Sequence, residues 1–404
     1  MSPELDLVVY GATGFTGRLV AEVLQSTYGD DGTLAWALAG RDAARLARVR
    51  DEIGARRSLP LLTADADDPA ALAALARHTH AVITTVGPYQ RHGEALVRAC
   101  AAAGTDYVDL CGEPLWMARM IAALAAPARA SGARIVFSCG FDSIPFDLGV
   151  VFLQAEARAR FGTALPRVGA RVRSIRGGMS GGTAASALAT LDRIARDPAA
   201  ARRLADPFAL TPGFRGPDQP DGDDAAFDEL AQAWTGPFPM AAINTKNVHR
   251  TNALRGHPWG RDFCYDERVV TGSGIAGAAL AQALAQAGRA QSVLSGWGPL
   301  RELAQGLIRP GQGPSRAQRE AGRFVVDIIG LAADGRRLKA TVVGDRDPGY
   351  GSTSRMIAES ALCLRRDVDR TMTPGGVWTA GAAMGLALVR RLQAHAGLSF
   401  EIVA

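Results

Sequence analysis

Residues Leu5 to Gln25, LDLVVYGATGFTGRLVAEVLQ, run from an apolar strand through a tight glycine turn into an amphipathic helix, and no other stretch constrains the fold as much. Gly11, Gly14 and Gly17 leave no side chain where such a backbone turns sharply, where it approaches a pyrophosphate and where helix packs on strand. The helix N-terminus then offers unpaired N–H groups to phosphate oxygens. The glycines follow a mostly apolar run ending at Tyr10 and precede Leu19, Val20, Val23 and Leu24 at helical spacing, which is the context a dinucleotide-binding motif requires. The residues expected to face the cofactor here are Gly11, Thr13, Gly14, Phe15, Thr16 and Gly17.

The next units repeat the pattern. LAWALAGR (Leu34 to Arg41) predicts a second strand and DAARLARVRDEIG a second helix with Asp42 as its N-cap. An NAD site places an acid about 20 residues past the glycines to hold the ribose hydroxyls. This chain has Gly40 and Arg41 there, so Arg41 is placed to pair with a 2′-phosphate and NADP(H) is the expected cofactor; the alternative is an arginine that only faces solvent. LPLLT predicts a third strand, after which Asp65 either bonds the adenine amino group or caps the following helix. A fourth strand, Ala81 to Val86, breaks at Gly87-Pro88 and sets Thr85, Val86 and Gly87 beside the ribose and nicotinamide. A fifth ends at Glu113, and a sixth ends in a loop carrying Asp142, Ser143 and Pro145. Strand and helix alternate throughout, which predicts an α/β fold with a parallel, doubly wound sheet.

Beyond about Phe146 the pattern changes and a second domain begins. VGARVRSIRGGMSGGTAAS reads as a strand and a glycine-rich turn into a helix. Asp206 to Pro239 reads as a surface excursion with one helical run, DDAAFDELAQAW, and Asp334-Gly335 marks a hairpin. GGVWTAGAAMGLALVRRLQAHAGLSFEIV closes the chain as a helix with a terminal strand. GSGIAGAALAQALAQAG (Gly272 to Gly288) falls short of the roughly 20 apolar residues a membrane span needs and reads as a buried or interfacial helix, which leaves peripheral membrane contact open.

A content of 48% hydrophobic and 21% charged residues over 404 positions is that of a soluble globular protein large enough for two domains. The net charge of +5 rests almost wholly on arginine, since Lys246 and Lys339 are the only lysines, and the arginines are scattered among acids; nucleic-acid binding is therefore not expected. Five cysteines without CxxC spacing suggest neither a disulfide framework nor a zinc ribbon, which fits a reducing cytoplasm, and the early first strand leaves no room for a secretory signal.

Ligands of a doubly wound sheet bind beyond the carboxyl ends of its strands. The candidates there are Tyr89 and His92 after the fourth strand, Asp109, Cys111 and Glu113 after the fifth, and Cys139, Asp142 and Ser143 after the sixth. Asp142 and Ser143 could equally be a capping pair, and the cysteines small buried hydrophobes. Tyr89, with His92 three residues on, is the expected pocket-lining acid. Neither lysine has a tyrosine four positions earlier, which removes the short-chain dehydrogenase mechanism, and the absence of HExxH makes a catalytic metal unexpected.

The segments GATGFTGRLVAEVL, LAGR, TTVGPYQRHGEALVRACAAAGTDYVDLCGE, GFDSIPFDLG, GPFPMAAINTKNVHRTNAL, DFCYDE, GDRDPGYGSTSRMIAESALCL and GGVWTAGAAMG together resemble the saccharopine dehydrogenase-like oxidoreductase family, in particular its bacterial trans-acting enoyl reductase branch. The resemblance implies a Rossmann-type domain over 1–148 with 365–404 returning to it, a second α/β (α+β) domain over 149–364 that closes the cleft, and NADPH as hydride donor. It also implies a 2,3-unsaturated acyl substrate, small or carrier-bound; a homo-oligomer is expected. In either branch chemistry Asn244 could donate to an oxyanion, Tyr265 or Tyr350 deliver a proton, and Lys246 or His249 orient substrate, unless NTKNVHR is only a polar strand or loop. An imine substrate of the saccharopine type, or a non-catalytic NADP-binding role, are the alternatives.

Overall fold

The last four residues of β1 (Leu5–Tyr10) and all of β2 (Trp36–Gly40) are buried, as expected of strands covered on both faces. Between them α1 (Phe15–Tyr28) starts at Gly14, and after β2 comes α2 (Ala43–Glu52). The first part of the chain continues through β3 (Leu61–Thr63), α3 (Pro69–Arg77), β4 (Thr79–Thr84), α4 (Tyr89–His92), α5 (Glu94–Ala103), β5 (Asp106–Val108), α6 (Pro114–Ser131), β6 (Arg134–Val136) and α7 (Ile144–Phe161). The remainder comprises β7 (Arg167–Arg176), α8 (Pro198–Ala205), β8 (Ala226–Asp228), β9 (Ala233–Pro237), α9 (Ala241–Leu254), β10 (Cys264–Gly272), α10 (Gly274–Leu294), α11 (Arg316–Glu320), β11 (Arg323–Leu331) and β12 (Arg337–Gly344). A π-helical turn (Pro348–Ser352) then leads into α12 (Thr353–Arg366), β13 (Gly376–Trp378), α13 (Ala380–Ala383), α14 (Gly385–His395) and β14 (Leu398–Val403). This computed structural model describes residues 4–29, 32–177, 190, 197–294 and 313–403; most of the expected glycine-rich turn after β7 lies outside them.

Among the described residues two seven-stranded sheets result. The first, ordered β13-β6-β5-β4-β1-β2-β3, is wholly parallel, and its order reverses between β1 and β4, where a doubly wound sheet opens its binding crevice. The second, ordered β14-β12-β11-β7-β10-β9-β8, is antiparallel except where β10 runs beside β7. The α7 helix leaves the end of the first sheet and packs under β11 and β12, so one apolar core, from Leu7 through Phe146 to Val342, continues from lobe to lobe. The hairpin expected at Asp334-Gly335 joins β11 to β12, with Gly335 at φ +87.

Several elements differ from the sequence reading. Asp68, not Asp65, caps α3: it accepts from Ala70 N and Ala71 N with Pro69 at the first helical position. The fourth strand sits two residues earlier, and the fifth stops at Val108, because Asp109 turns its carboxylate back onto the Cys111 and Ser138 amides. The helix expected within DDAAFDELAQAW is instead the β8–β9 hairpin, since β9 finds a partner in β10 and that pairing overrides local helical preference. NTKNVHR is neither strand nor loop but the middle of α9. The Gly272–Gly288 segment forms most of α10, which packs on β9 through Ala281 and Ala285 while Ile275 and Leu280 face outward; no described helix is long and apolar enough to cross a membrane. Within the span assigned to the second domain, α12 packs on α1, β4 and β5. The C-terminal stretch divides: β13 joins the first sheet and β14 the second.

Candidate functional site

The glycine loop is seated against the end of β4. Gly11 has φ +84, and a Cβ there would lie 2.6 Å from Val86 Cγ2 and 3.1 Å from Thr85 Oγ1. At Gly17 it would lie 2.1 Å from Gly11 O, so the first turn of α1 rests directly on the loop backbone. Gly14 is different: it is exposed, and the nearest atom to its Cβ position is Gly11 O at 3.3 Å. Two glycines therefore serve close packing and the third opens the loop outward, which is the cradle a pyrophosphate requires. Thr13, Phe15 and Thr16 are half-buried around it, and Thr85 Oγ1 reaches Gly11 O at 3.5 Å. The Phe15 ring meets Tyr350 of the π-helical turn edge-on at 4.8 Å, with the guanidiniums of Arg18 and Arg319 each 5.7 Å from its centre.

At the end of β2, Arg41 is exposed; burial, then the charges of Asp65 and Asp67, push the Tyr10 phenol up to about 12, and Arg41 works against that rise. Asp42 accepts from Arg45 N at 2.9 Å as the N-cap of α2, as expected. Arg45, which the sequence reading passed over, donates from Nη2 to Thr13 O at 3.2 Å. Asp65 is exposed and accepts from Asp67 N.

Beyond β4 the Gly87-Pro88 bond is cis, Gly87 is exposed, and Val86 is half-buried. Tyr89 departs from expectation. Its ring is buried at 4% exposure and packs against Trp116 at 5.8 Å; its hydroxyl donates to Thr84 O at 3.2 Å and accepts from Leu110 N at 3.0 Å. Burial holds the phenol well above its ordinary pKa. Tyr89 thus ties β4 to the loop after β5 and does not line the pocket as an acid. His92 lies on the exposed side of α4, not beside Tyr89, because one turn of helix with Tyr89 in the core turns its other end to solvent. Glu113 is buried and accepts from Tyr89 N and Gln90 N, both at 2.8 Å, clamping the start of α4. Asp109 is fully buried, and burial lifts its carboxyl to about 7. Cys111 and Cys139 are buried, with thiols raised by burial, as small core residues.

The loop after β6 and the α9 helix bring three expected residues together. Ser143 Oγ donates to Asp142 O at 2.7 Å, lies 3.3 Å from Asn244 Oδ1 and accepts from Asn247 Nδ2 at 2.7 Å. Asn244, fully buried, donates its amide to Glu267 Oε2 at 2.9 Å, and Tyr265 donates its hydroxyl to Glu267 Oε1 at 2.9 Å. Ser143 holds the N-cap position of α7 but makes no side-chain cap, so the capping alternative does not apply. Asp142 is half-buried at the end of the same loop. Burial pushes Glu267 up to about 8, Lys246 down to about 8 and His249 down to about 3. Asn247 and Glu267 lie within NTKNVHR and DFCYDE, but nothing in those segments separated them from their neighbours; Arg45 stands in the first turn of α2, close after the end of β2.

A sequence profile described as the saccharopine dehydrogenase NADP binding domain matches residues 7–136, which is the span from β1 to the end of β6. A trans-acting enoyl reductase of Mycobacterium bovis is 40% identical over 414 aligned positions, covering 97% of each chain. The chain belongs to the saccharopine dehydrogenase-like oxidoreductases, in their trans-acting enoyl reductase branch. Another member of this branch, a Mycobacterium tuberculosis protein whose assignment as a trans-acting enoyl reductase is provisional, shares 43% identity over 98% of this chain and 97% of its own. The saccharopine dehydrogenase-like fold extends to a solved relative, apo saccharopine dehydrogenase (L-Glu forming) from Saccharomyces cerevisiae, with TM-score 0.54 over 99% of this chain at 13% identity. This oxidoreductase binds NADP(H), and the outward-facing Gly14 with Arg41 and Arg45 beside it fits that cofactor.

Proposed function

We propose that this oxidoreductase uses NADPH to reduce the C=C bond of 2,3-unsaturated acyl thioesters, presented on a small or protein carrier. The carrying observation is identity of 40–43% to trans-acting enoyl reductases with both chains aligned nearly end to end. The local chemistry supports it. Val86 and Leu110, half-buried just past the ends of β4 and β5, and Met240, half-buried before α9, pack on the core beneath, and in this reading they form the apolar wall that an acyl chain would need. An imine between two amino acids would instead need free cations for its carboxylates. Of the buried arginines of the second lobe, Arg171 is paired with Asp228 and Asp266, and Arg250 spends both terminal nitrogens on Leu210 O and Val377 O, leaving its Nε unpaired.

NADPH, held at the glycine loop by the backbone around Gly14 with Arg41 and Arg45 nearby, would supply a hydride for the β-carbon, the negative charge then resting on the thioester oxygen. With the hydroxyls of Tyr89 and Tyr265 both buried and engaged, the proton for the α-carbon falls to Tyr350, whose ring meets Phe15 of the glycine loop, or to water. The Ser143–Asn244–Glu267 chain holds the β6 loop and α9 in register as the wall facing the substrate. We place the enzyme in the cytoplasm as a homo-oligomer. The test is purified protein with NADPH and a panel of enoyl thioesters, followed by nicotinamide absorbance in D2O. Oxidation of NADPH with deuterium appearing at the α-carbon is the expected result. Turnover only with an amino acid and an oxo acid together would replace this reading with imine reduction, and no turnover with any substrate would favour a non-catalytic NADP-binding role.

A further inference from the structure

We propose that Arg319, carried by the second lobe, is the counter-charge to the cofactor's pyrophosphate, so that the dinucleotide is held from both sides of the crevice. The proposal rests on NADP(H) binding at the glycine loop and adds a contact that reaches the loop from the other lobe. The loop itself sets the need for it. A pyrophosphate carries a negative charge on each phosphate, and the N-terminus of a helix such as α1 offers the equivalent of about half a positive one. No cation lies in the loop between Gly11 and Gly17. Gly14, where the loop opens, has only Gly11 O within 4 Å of its Cβ position.

Three observations put Arg319 at that opening. First, the second lobe meets the first at Phe15, the residue after Gly14. A Cβ on Gly313 would lie 2.4 Å from Phe15 Cε1, and the Tyr350 ring stands edge-on to Phe15 at 4.8 Å, so two separate segments of the second lobe close on this one side chain. Second, the Arg319 guanidinium is held 5.7 Å from the centre of the same ring. Its Nη1 donates to Pro314 O at 2.8 Å, and the Arg319 carbonyl accepts from Asp347 N at 2.9 Å, which fixes both ends of the residue. A guanidinium has five N–H donors in a fixed fork, and the side chain makes no other hydrogen bond and no ion pair among the described residues, so most of the fork is available. Third, the nearby carboxylates are spent elsewhere. Asp347 accepts from Tyr350 N and Gly351 N, each at 2.9 Å, and Glu320 pairs with Arg316 at 2.9 Å and Arg346 at 3.7 Å. Arg18, which flanks the Phe15 ring from α1, reaches Glu52 at 3.4 Å. Arg319 is thus a half-buried cation beside the opening with no acid bonded to it.

Calorimetric titration of the full chain with NADPH, NADH and adenosine 2′-monophosphate, which lacks the pyrophosphate, tests the contact. Arg319→Met keeps the packing on Phe15 and removes the charge. Its Kd is expected to rise roughly 10- to 100-fold for NADPH and NADH alike, because both carry the pyrophosphate, while adenosine 2′-monophosphate binds as it does to wild type. Arg319→Lys, which keeps a point charge without the fork, should fall between the two. Wild-type affinity for the dinucleotides in Arg319→Met would overturn the proposal, because the side chain would then only pack against Phe15. A loss confined to NADPH would overturn it by moving the contact to the 2′-phosphate, and an equal loss for adenosine 2′-monophosphate would overturn it as a general disturbance of the loop. Wild-type protein that binds none of the three would refute the cofactor assignment itself, a result distinguishable from any failure of Arg319. A thermal melt of each variant confirms that the fold is retained.

Discussion

Gly14 and Gly17 differ by one helical turn and by what an added methyl group would meet. At Gly17 a Cβ falls 2.1 Å from Gly11 O, backbone that cannot move without lifting the loop from β4. At Gly14 it meets Gly11 O at 3.3 Å and otherwise points away from the protein, toward the space a phosphate would fill. Gly14→Val is therefore expected to abolish NADPH binding while the thermal midpoint stays close to wild type, whereas Gly17→Ala should lower that midpoint by several degrees; titration and melting of both variants check the contrast. Tyr89→Phe tests a residue whose placement reversed its expected role. It removes one bond to Thr84 O and leaves the Leu110 amide without its acceptor, a loss of roughly 1–3 kcal/mol in stability, while turnover with an active enoyl thioester should stay within a few-fold of wild type. A fall of 10²-fold or more would restore Tyr89 as the proton donor.

At the scale of elements, strands and helices were readable where burial follows a simple period. The apolar runs of β1 and β2, the Asp42 cap and the Asp334-Gly335 hairpin all announce themselves locally. Elements held by distant partners do not. In α9 the buried positions are mostly polar, with Asn244, Asn247, Thr251 and Asn252 bonded to Glu267, Ser143, Asp147 and Gly260 in turn, so the helix has no continuous apolar stripe for a sequence reading to find. The β8–β9 pair likewise exists because β10 offers an edge. The site divides the same way: the glycine loop was legible from local spacing, but the contact of Glu113 with α4 spans more than 20 positions and could not be. Glu113 makes that contact testable. Its carboxylate accepts two buried amides at the start of α4, just past Thr85, Val86 and Gly87, so Glu113→Ala should lower stability by roughly 1–3 kcal/mol for each amide left unpaired and weaken NADPH binding with it. Loss of stability with unaltered cofactor affinity would show that the clamp does not position the β4 loop.

Across the whole molecule, buried titratable groups make the union of the two lobes sensitive to pH, and their signs decide where. Burial raises Asp147, at the junction of α7 with α9 and α13, to about 6, Asp109 to about 7 and Glu267 to about 8, from ordinary values of 3.8, 3.8 and 4.5. An acid whose folded pKa lies above its unfolded one contributes stability that is complete below the unfolded value and is lost as pH rises through the folded one. His249 and Lys246 work in the opposite sense. Burial lowers His249 from 6.5 to about 3 and Lys246 from 10.5 to about 8, so each adds stability with rising pH, the histidine between about 3 and 6.5 and the lysine from about 8 upward. Between about pH 6.5 and 8 neither base titrates in either state, and Asp109 and Glu267 act alone. The thermal midpoint should therefore fall with pH across this window, and above about pH 8 the gain from Lys246 is opposed by the buried thiols of Cys100, Cys111, Cys139 and Cys363, all raised from 9.0, so no recovery is expected. Glu267→Gln keeps the hydrogen-bonding shape and removes the charge; its midpoint should stay level from about pH 7 to 8, where wild type still declines. A variant curve running parallel to wild type there would show that Glu267 is already ionised at pH 7, and that the bonds from Asn244 and Tyr265 outweigh its desolvation.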